Sequence, residues 1–183
     1  MADPSAAWHP APPVRAFALT PLSRPLVALW GALNSEGVMA IGDVVVLLNR
    51  GGRDGLPNAA LRLPVATLHA LIDGAPVTPD WAIRHYELGH LDGVALGFTD
   101  GAARADGSWL FSAAAERSDD SMADGPCAGS VIGQVSARGE LMAMRRLDSR
   151  DKVEGIALQP DGPTSCMVTD ADEPLRGARL LPA

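Results

Sequence analysis

Three carboxylates recur in one local pattern: Glu36-Gly37-Val38, Asp92-Gly93-Val94 and Glu154-Gly155-Ile156. Each acidic residue directly precedes glycine and a β-branched residue, and the triplets return about every sixty residues. Carboxylates brought to equivalent points around one axis repel, and like charges held close raise one another's pKa. A hard cation relieves that repulsion, because Ca²⁺ accepts about six to eight oxygen ligands from carboxylates, amides, backbone carbonyls and water. Asn34, beside Glu36, completes a donor set with Glu36, Asp92 and Glu154. A cation held there would polarise an ester, lactone or phosphoryl oxygen. The competing reading is structural: acidic residues before glycine are also turn formers that accept hydrogen bonds from nearby backbone N–H groups.

If each triplet opens a first strand, the ends of the second strands share its face. That places Arg50, Glu116, Lys152 and Asp170 there as candidate substrate-binding residues, the two cations suited to a phosphate or carboxylate or, equally, to pairing with the landmark carboxylates. His90, shortly before the second triplet, is the candidate acid–base group, with strand-end packing as its alternative. The acidic run Glu116 to Asp124 lacks the alternation and closing glutamate of an EF-hand and reads as a solvated loop. Cys127 has no evident base beside it, so a structural thiol is expected there and at Cys166. Ser130 lacks the G-x-S-x-G setting of a hydrolase nucleophile. Nucleotide-binding loops and zincin motifs are absent from the sequence.

The elements that must position these groups are short strands. The chain has 183 residues, 47% of them hydrophobic, with 19 glycines and 15 prolines, which suits one domain of many strands joined by tight turns. Residues 1–13 read as a disordered leader and Val14 to Thr20 as a strand. Pro25 to Leu33 reads as a short helix, proline being suited to a first helical turn. In the first repeat, about 34–90, the expected strands are Gly37 to Ile41, Val44 to Asn49, Ala59 to Leu63 and Trp81 to Leu88, with a helix over Val65 to Asp73 ended by Gly74. In the second, about 91–151, they are Val94 to Thr99, Ser108 to Glu116, Ser130 to Ala137 and Glu140 to Leu147. The third, 152–183, offers Gly155 to Leu158, Thr164 to Thr169 and Arg176 to Leu181, one strand short of four.

A landmark recurring at the length of one four-stranded sheet predicts an all-β fold: a partial β-propeller over 14–183, with one or two short helices in its loops. About three four-stranded blades make half of a six-bladed ring. Either further blades lie outside this chain, or two chains join as three plus three. In the second case strand 14–20 of one chain closes the third blade of its partner, giving a homodimer.

The runs Leu91 to Asp100 (LDGVALGFTD), Leu110 to Glu116 (LFSAAAE), Asp124 to Ser130 (DGPCAGS) and Lys152 to Gly155 (KVEG) resemble an uncharacterised bacterial family of propeller proteins. That family in turn resembles the esterase-like phytase propellers, in which Glu-Gly-[Ile/Leu/Val] opens blades. The resemblance implies a propeller over about Asn34 to Ala183 and, by analogy with calcium-dependent lactonase propellers, a hydrolase using a divalent metal at the axial face. A non-catalytic binding or scaffold propeller, with the acidic-Gly turns structural, is the alternative.

The net charge of −7 argues against nucleic acid or an anionic membrane as partner and leaves a small-molecule ligand as the expectation. The first apolar run, Leu26 to Leu33, is too short to span a bilayer. Two cysteines form no disulfide framework. A cytoplasmic protein is the default expectation.

Overall fold

The structure, a computed structural model, describes residues 16–52, 55–117, 126–159, 165–170 and 177–182. The protein is mainly β, with three antiparallel sheets following one another along the chain. Helix α1 (Thr20–Trp30) precedes a four-stranded meander of β1 (Ser35–Ile41), β2 (Val44–Asn49), β3 (Ala59–Pro64) and β4 (Ala82–His85), with α2 (Val65–Ile72) between β3 and β4. The second sheet has five strands: β5 (His90–Leu91), β6 (Val94–Ala103), β7 (Trp109–Glu116), β8 (Cys127–Val135) and β9 (Leu141–Arg146). The third comprises β10 (Lys152–Leu158), β11 (Ser165–Asp170) and β12 (Leu180–Pro182). Among the described residues, no helix is long and apolar enough to cross a membrane.

The apolar pattern of each strand follows from what covers it. The continuous run VVVLLN of β2 is sandwiched: Val46 and Leu48 face the second sheet, while Leu47 packs with Leu61, Leu26 and Trp81 under α1. Strand β7 is buried along its whole length. Trp109, Phe111, Ala113 and Ala115 point into the core shared with the first sheet, and Leu110 points into the core shared with the third. The small residues of LFSAAAE thus let this strand lie between two packed layers. Tyr86, Phe98, Trp109 and Phe111 form an aromatic cluster with centroids 5.1–6.1 Å apart, three of its five ring pairs edge-to-face and two tilted.

Three strands, one from each sheet, run close together: β6 lies between β1 and β10. Each carries a β-bulge, at Ser35/Gly37 in β1, Phe98/Asp100 in β6 and Val153/Gly155 in β10. Gly37 permits the approach of β1 to β6, since a methyl there would come 3.0 Å from Asp100 Cα, while one on Gly155 would come 2.7 Å from Val168 Cγ1 on the paired strand β11. Across this seam Ile156 N donates to Asp100 Oδ2 at 3.0 Å.

Most expected elements appear within a few residues of their places, and the differences have physical causes. The strand expected over Val14 to Thr20 is absent over its described part: residues 16–19 have no regular structure and Thr20 opens α1. Pro21 occupies the first helical turn, where a missing N–H is tolerated, and Leu22 and Leu26 lie one turn apart on the buried face. The helix expected from Pro25 therefore starts five residues earlier and contains Pro25. The leader over 1–13 and most of the Glu116 to Asp124 run lie outside the described residues. Strand β4 ends at His85 because Tyr86 turns inward, donating its N–H to Asn58 O and its hydroxyl to Gly139 O.

Asn58 ties the first sheet's long loop to β6. Its Oδ1 accepts from Gly51 N (2.8 Å) and Phe98 N (3.0 Å), and its Nδ2 donates to Leu96 O (2.8 Å). Asn58→Ala would orphan two buried N–H groups and a carbonyl, so a loss of about 3 kcal/mol or more is expected in urea unfolding. A loss below about 1 kcal/mol would show that this loop does not hold the sheets together.

Candidate functional site

The bulges bring charge to one place. Arg50 follows β2 and is held by its backbone N–H, which donates to Asn34 O at 2.8 Å. Its side chain lies across β6 at Gly97, where an added methyl would sit 2.6 Å from Arg50 Cγ. The side chain is 7% exposed, and its guanidinium reaches groups from all three sheets. Nη2 donates to Glu116 Oε2 at the end of β7 (2.8 Å), while Nη1 lies 3.5 Å from Glu36 on β1 and 4.0 Å from Glu154 on β10. Lys152, at the start of β10, lies 3.6 Å from Glu116 and 3.4 Å from Glu154. Glu116 is the most enclosed member, its side chain 1% exposed, whereas Glu36 and Glu154 are about one quarter exposed at 26% and 25%. Two cations thus sit among three carboxylates at the junction of the sheets.

Glu154 is the least comfortable member. Its Oε1 is buried and receives no hydrogen bond, although Lys152 and Arg50 are near. Burial pushes its carboxyl above the usual carboxylate range, with Glu36 adding to the rise, and outweighs the opposing pull of Lys152 and Arg50.

The structure brings together Glu36, Arg50, Glu116, Lys152 and Glu154, and attaches Asn34 through its backbone. Asn34 also donates its N–H to Asn49 Oδ1 at 2.9 Å, so its main chain fixes the loop carrying Arg50. Asp170 lies directly across the β10–β11 pair from Lys152. Asp92 is elsewhere. With φ of 49° at Asp92 and 78° at Gly93, the two form the tight turn between β5 and β6. Asp92 there pairs with Arg146 at 3.1 Å, and that hydrogen bond lowers its pKa. His90 is exposed on β5, in register with Ala95, and among the described residues makes no hydrogen bond or ion pair with the cluster.

The third equivalent of Glu36 and Glu154 is therefore not Asp92. Each of those glutamates is the residue skipped by a bulge, and the residue skipped in β6 is Thr99, whose hydroxyl donates to Ser112 Oγ at 2.8 Å. The Thr99-Asp100-Gly101 run carried a weak signal, acidic residue before glycine, but lacks the β-branched residue that marks the others. The four-ligand set proposed for calcium does not assemble: Asp92 is committed to Arg146, and Arg50 bridges Glu36 and Glu154. Among the described residues, no three His, Cys, Asp or Glu side chains are grouped to hold a metal ion.

Two residues set aside as nucleophiles have structural partners. Ser130 Oγ accepts from Val153 N (3.0 Å) and donates to Asp151 O (2.9 Å), lashing β8 to β10. The half-buried Cys127 thiol is pushed up by burial and directed at Gly129 O (3.5 Å), conditions opposite to those of a reactive thiolate.

The cluster predicts opposite outcomes for two similar substitutions. Glu116→Gln leaves two buried cations short of compensation, and about 3–5 kcal/mol of stability should be lost. Glu154 binds its proton more tightly in the folded chain than in the unfolded one. The stability this provides is present below the unfolded-chain pKa and is lost as pH rises through the raised folded value. Glu154→Gln should remove that decline and be at least as stable as the parent at pH 7. Urea unfolding across this pH interval checks both; a Glu154→Gln chain clearly weaker at neutral pH would contradict the assignment.

Residues 3–174 match the model of a family of unknown function (DUF6910). No curated protein and no solved structure matches the chain.

Proposed function

The chain belongs to the family of unknown function DUF6910, and we propose from its own geometry that it is a non-catalytic binding scaffold built as three sectors of a β-propeller. Support for the propeller reading comes from the order of the sheets. They are antiparallel meanders, and they pack face to face in chain order, the first on the second and the second on the third. One strand from each comes to a shared seam, with its bulge at the same level. We extend the reading to a homodimer in which two such stacks complete a ring of six. A cytoplasmic setting fits the two free cysteines.

The observation that carries the scaffold reading is the Arg50–Lys152 pair. These side chains supply the positive charge that three clustered carboxylates need, from within the chain, and in doing so they join the three sheets. The acidic residues of the Glu-Gly bulges then serve as a clasp. A second reading, a hydrolase acting on a small ester or phosphoester at this face as the resemblance to phytase-like propellers implies, draws on one observation. A carboxyl whose pKa burial raises, such as Glu154, is shifted in the direction that suits a general acid.

Thermal melting with and without millimolar Ca²⁺, run beside an ester and phosphoester panel, separates the readings. The scaffold reading expects an unchanged melting point and no turnover. A calcium-induced rise in melting point that Glu36→Gln abolishes, or turnover lost in Glu154→Gln, would replace it with the hydrolase.

A further inference from the structure

Beside the clasp lies a cavity of about 380 Å³ lined by Asp92, Arg117, Pro126, Cys127, Ala128 and Arg150. It adjoins the cluster through β7 and β8, where Glu116 and Cys127 are register partners. Its described lining is basic. The chain carries a net charge of −7, yet here Arg117, Arg150 and the adjacent Arg146 surround a single described carboxylate, Asp92. Arg146 is committed to that carboxylate through two hydrogen bonds, at 3.3 and 3.1 Å. Among the described residues, Arg117 and Arg150 have no carboxylate within ion-pair distance. Both are exposed, so their guanidinium groups are open to a ligand.

We propose that this cavity binds a small, multiply charged oxyanion, a phosphate ester or a polycarboxylate, between Arg117 and Arg150. The guanidinium fork matches phosphate and carboxylate oxygens in bidentate fashion, and two forks on one cavity favour a ligand with more than one anionic oxygen pair. The volume lies at the lower end of the range for small-molecule pockets. Cys127, its thiol kept protonated by burial, adds no opposing charge to the wall. Asp92 tempers the site: three arginines acting on it lower its pKa, and its negative charge repels an incoming anion.

The inference rests on the binding reading above by naming its ligand class, and it can fail alone. Absence of anion binding leaves the clasp variants and the calcium melt to judge the scaffold. Isothermal titration of the full chain with pyrophosphate and with citrate tests it, the two arms separating phosphate from carboxylate chemistry. Saturable binding of either one, weakening as salt is raised, is expected. Arg117→Ala and Arg150→Ala should each weaken it about tenfold or more. Arg145→Ala, which removes the same charge from the neighbouring β9 position facing the other side of the sheet, should leave it unchanged. Asp92→Asn, tolerated at a positive φ, should tighten binding by removing the repulsion and freeing Arg146. The proposal is overturned if neither anion binds, if the Arg117 and Arg150 variants bind as the parent does, or if Arg145→Ala weakens binding equally.

Discussion

A guanidinium cannot be buried without compensation, and the position of Arg50 makes that constraint govern the architecture. The desolvation cost of such a charge is several kcal/mol even after relaxation, so carboxylates must converge on it from whatever surrounds it. What surrounds Arg50 is the junction of three sheets, and each contributes: Glu36 from the first, Glu116 from the second, Glu154 from the third. Gly97 has no side chain because the Arg50 stem occupies that space. Lys152 enters because three carboxylates around one cation would leave excess negative charge, and it lies within 4 Å of Glu116 and Glu154.

This polar junction is matched by smaller ones that tie sheet to sheet. Asn58 bridges the first sheet's loop to β6, Asp100 bridges β6 to β10, and Ser130 bridges β8 to β10. Between these bonds the layers are apolar: an aromatic-rich core joins the first two sheets, and a smaller aliphatic one joins the second and third. Apolar packing holds layers together without fixing their offset. Directional bonds from buried polar atoms set the register, since each mismatch would strand a donor or acceptor away from water.

Much of the strand pattern was legible in the sequence. Val44 to Asn49 appears with the expected bounds, and α2 begins at Val65 as expected, because an apolar run between glycine-bearing turns leaves few alternatives. The N-terminal reading failed where local signals conflicted: Val14 to Thr20 alternates like a strand, but Pro21, Leu22 and Leu26 make a helix the better way to cover the first sheet. For the site, Glu36, Glu154, Arg50, Glu116 and Lys152 were picked out individually. Pairing of Arg50 and Lys152 with Glu36 and Glu154 was one of two open readings of those cations; their shared contact with Glu116 was not, since no spacing rule says that an arginine near residue 50 will reach a glutamate near residue 116.

The Asp92 triplet marks the same boundary. A local pattern cannot separate a two-residue hairpin turn from a bulge, because glycine after an acidic residue serves both. The sequence alone determined the β-rich class, the turns and the recurrence of acidic-Gly landmarks, all properties of short segments. The tertiary structure alone decided which landmarks are equivalent, that Thr99 takes the third place, and that Arg50 and Lys152 neutralise the carboxylates. Those outcomes depend on distances between residues far apart in the chain, which only the packing of the sheets sets.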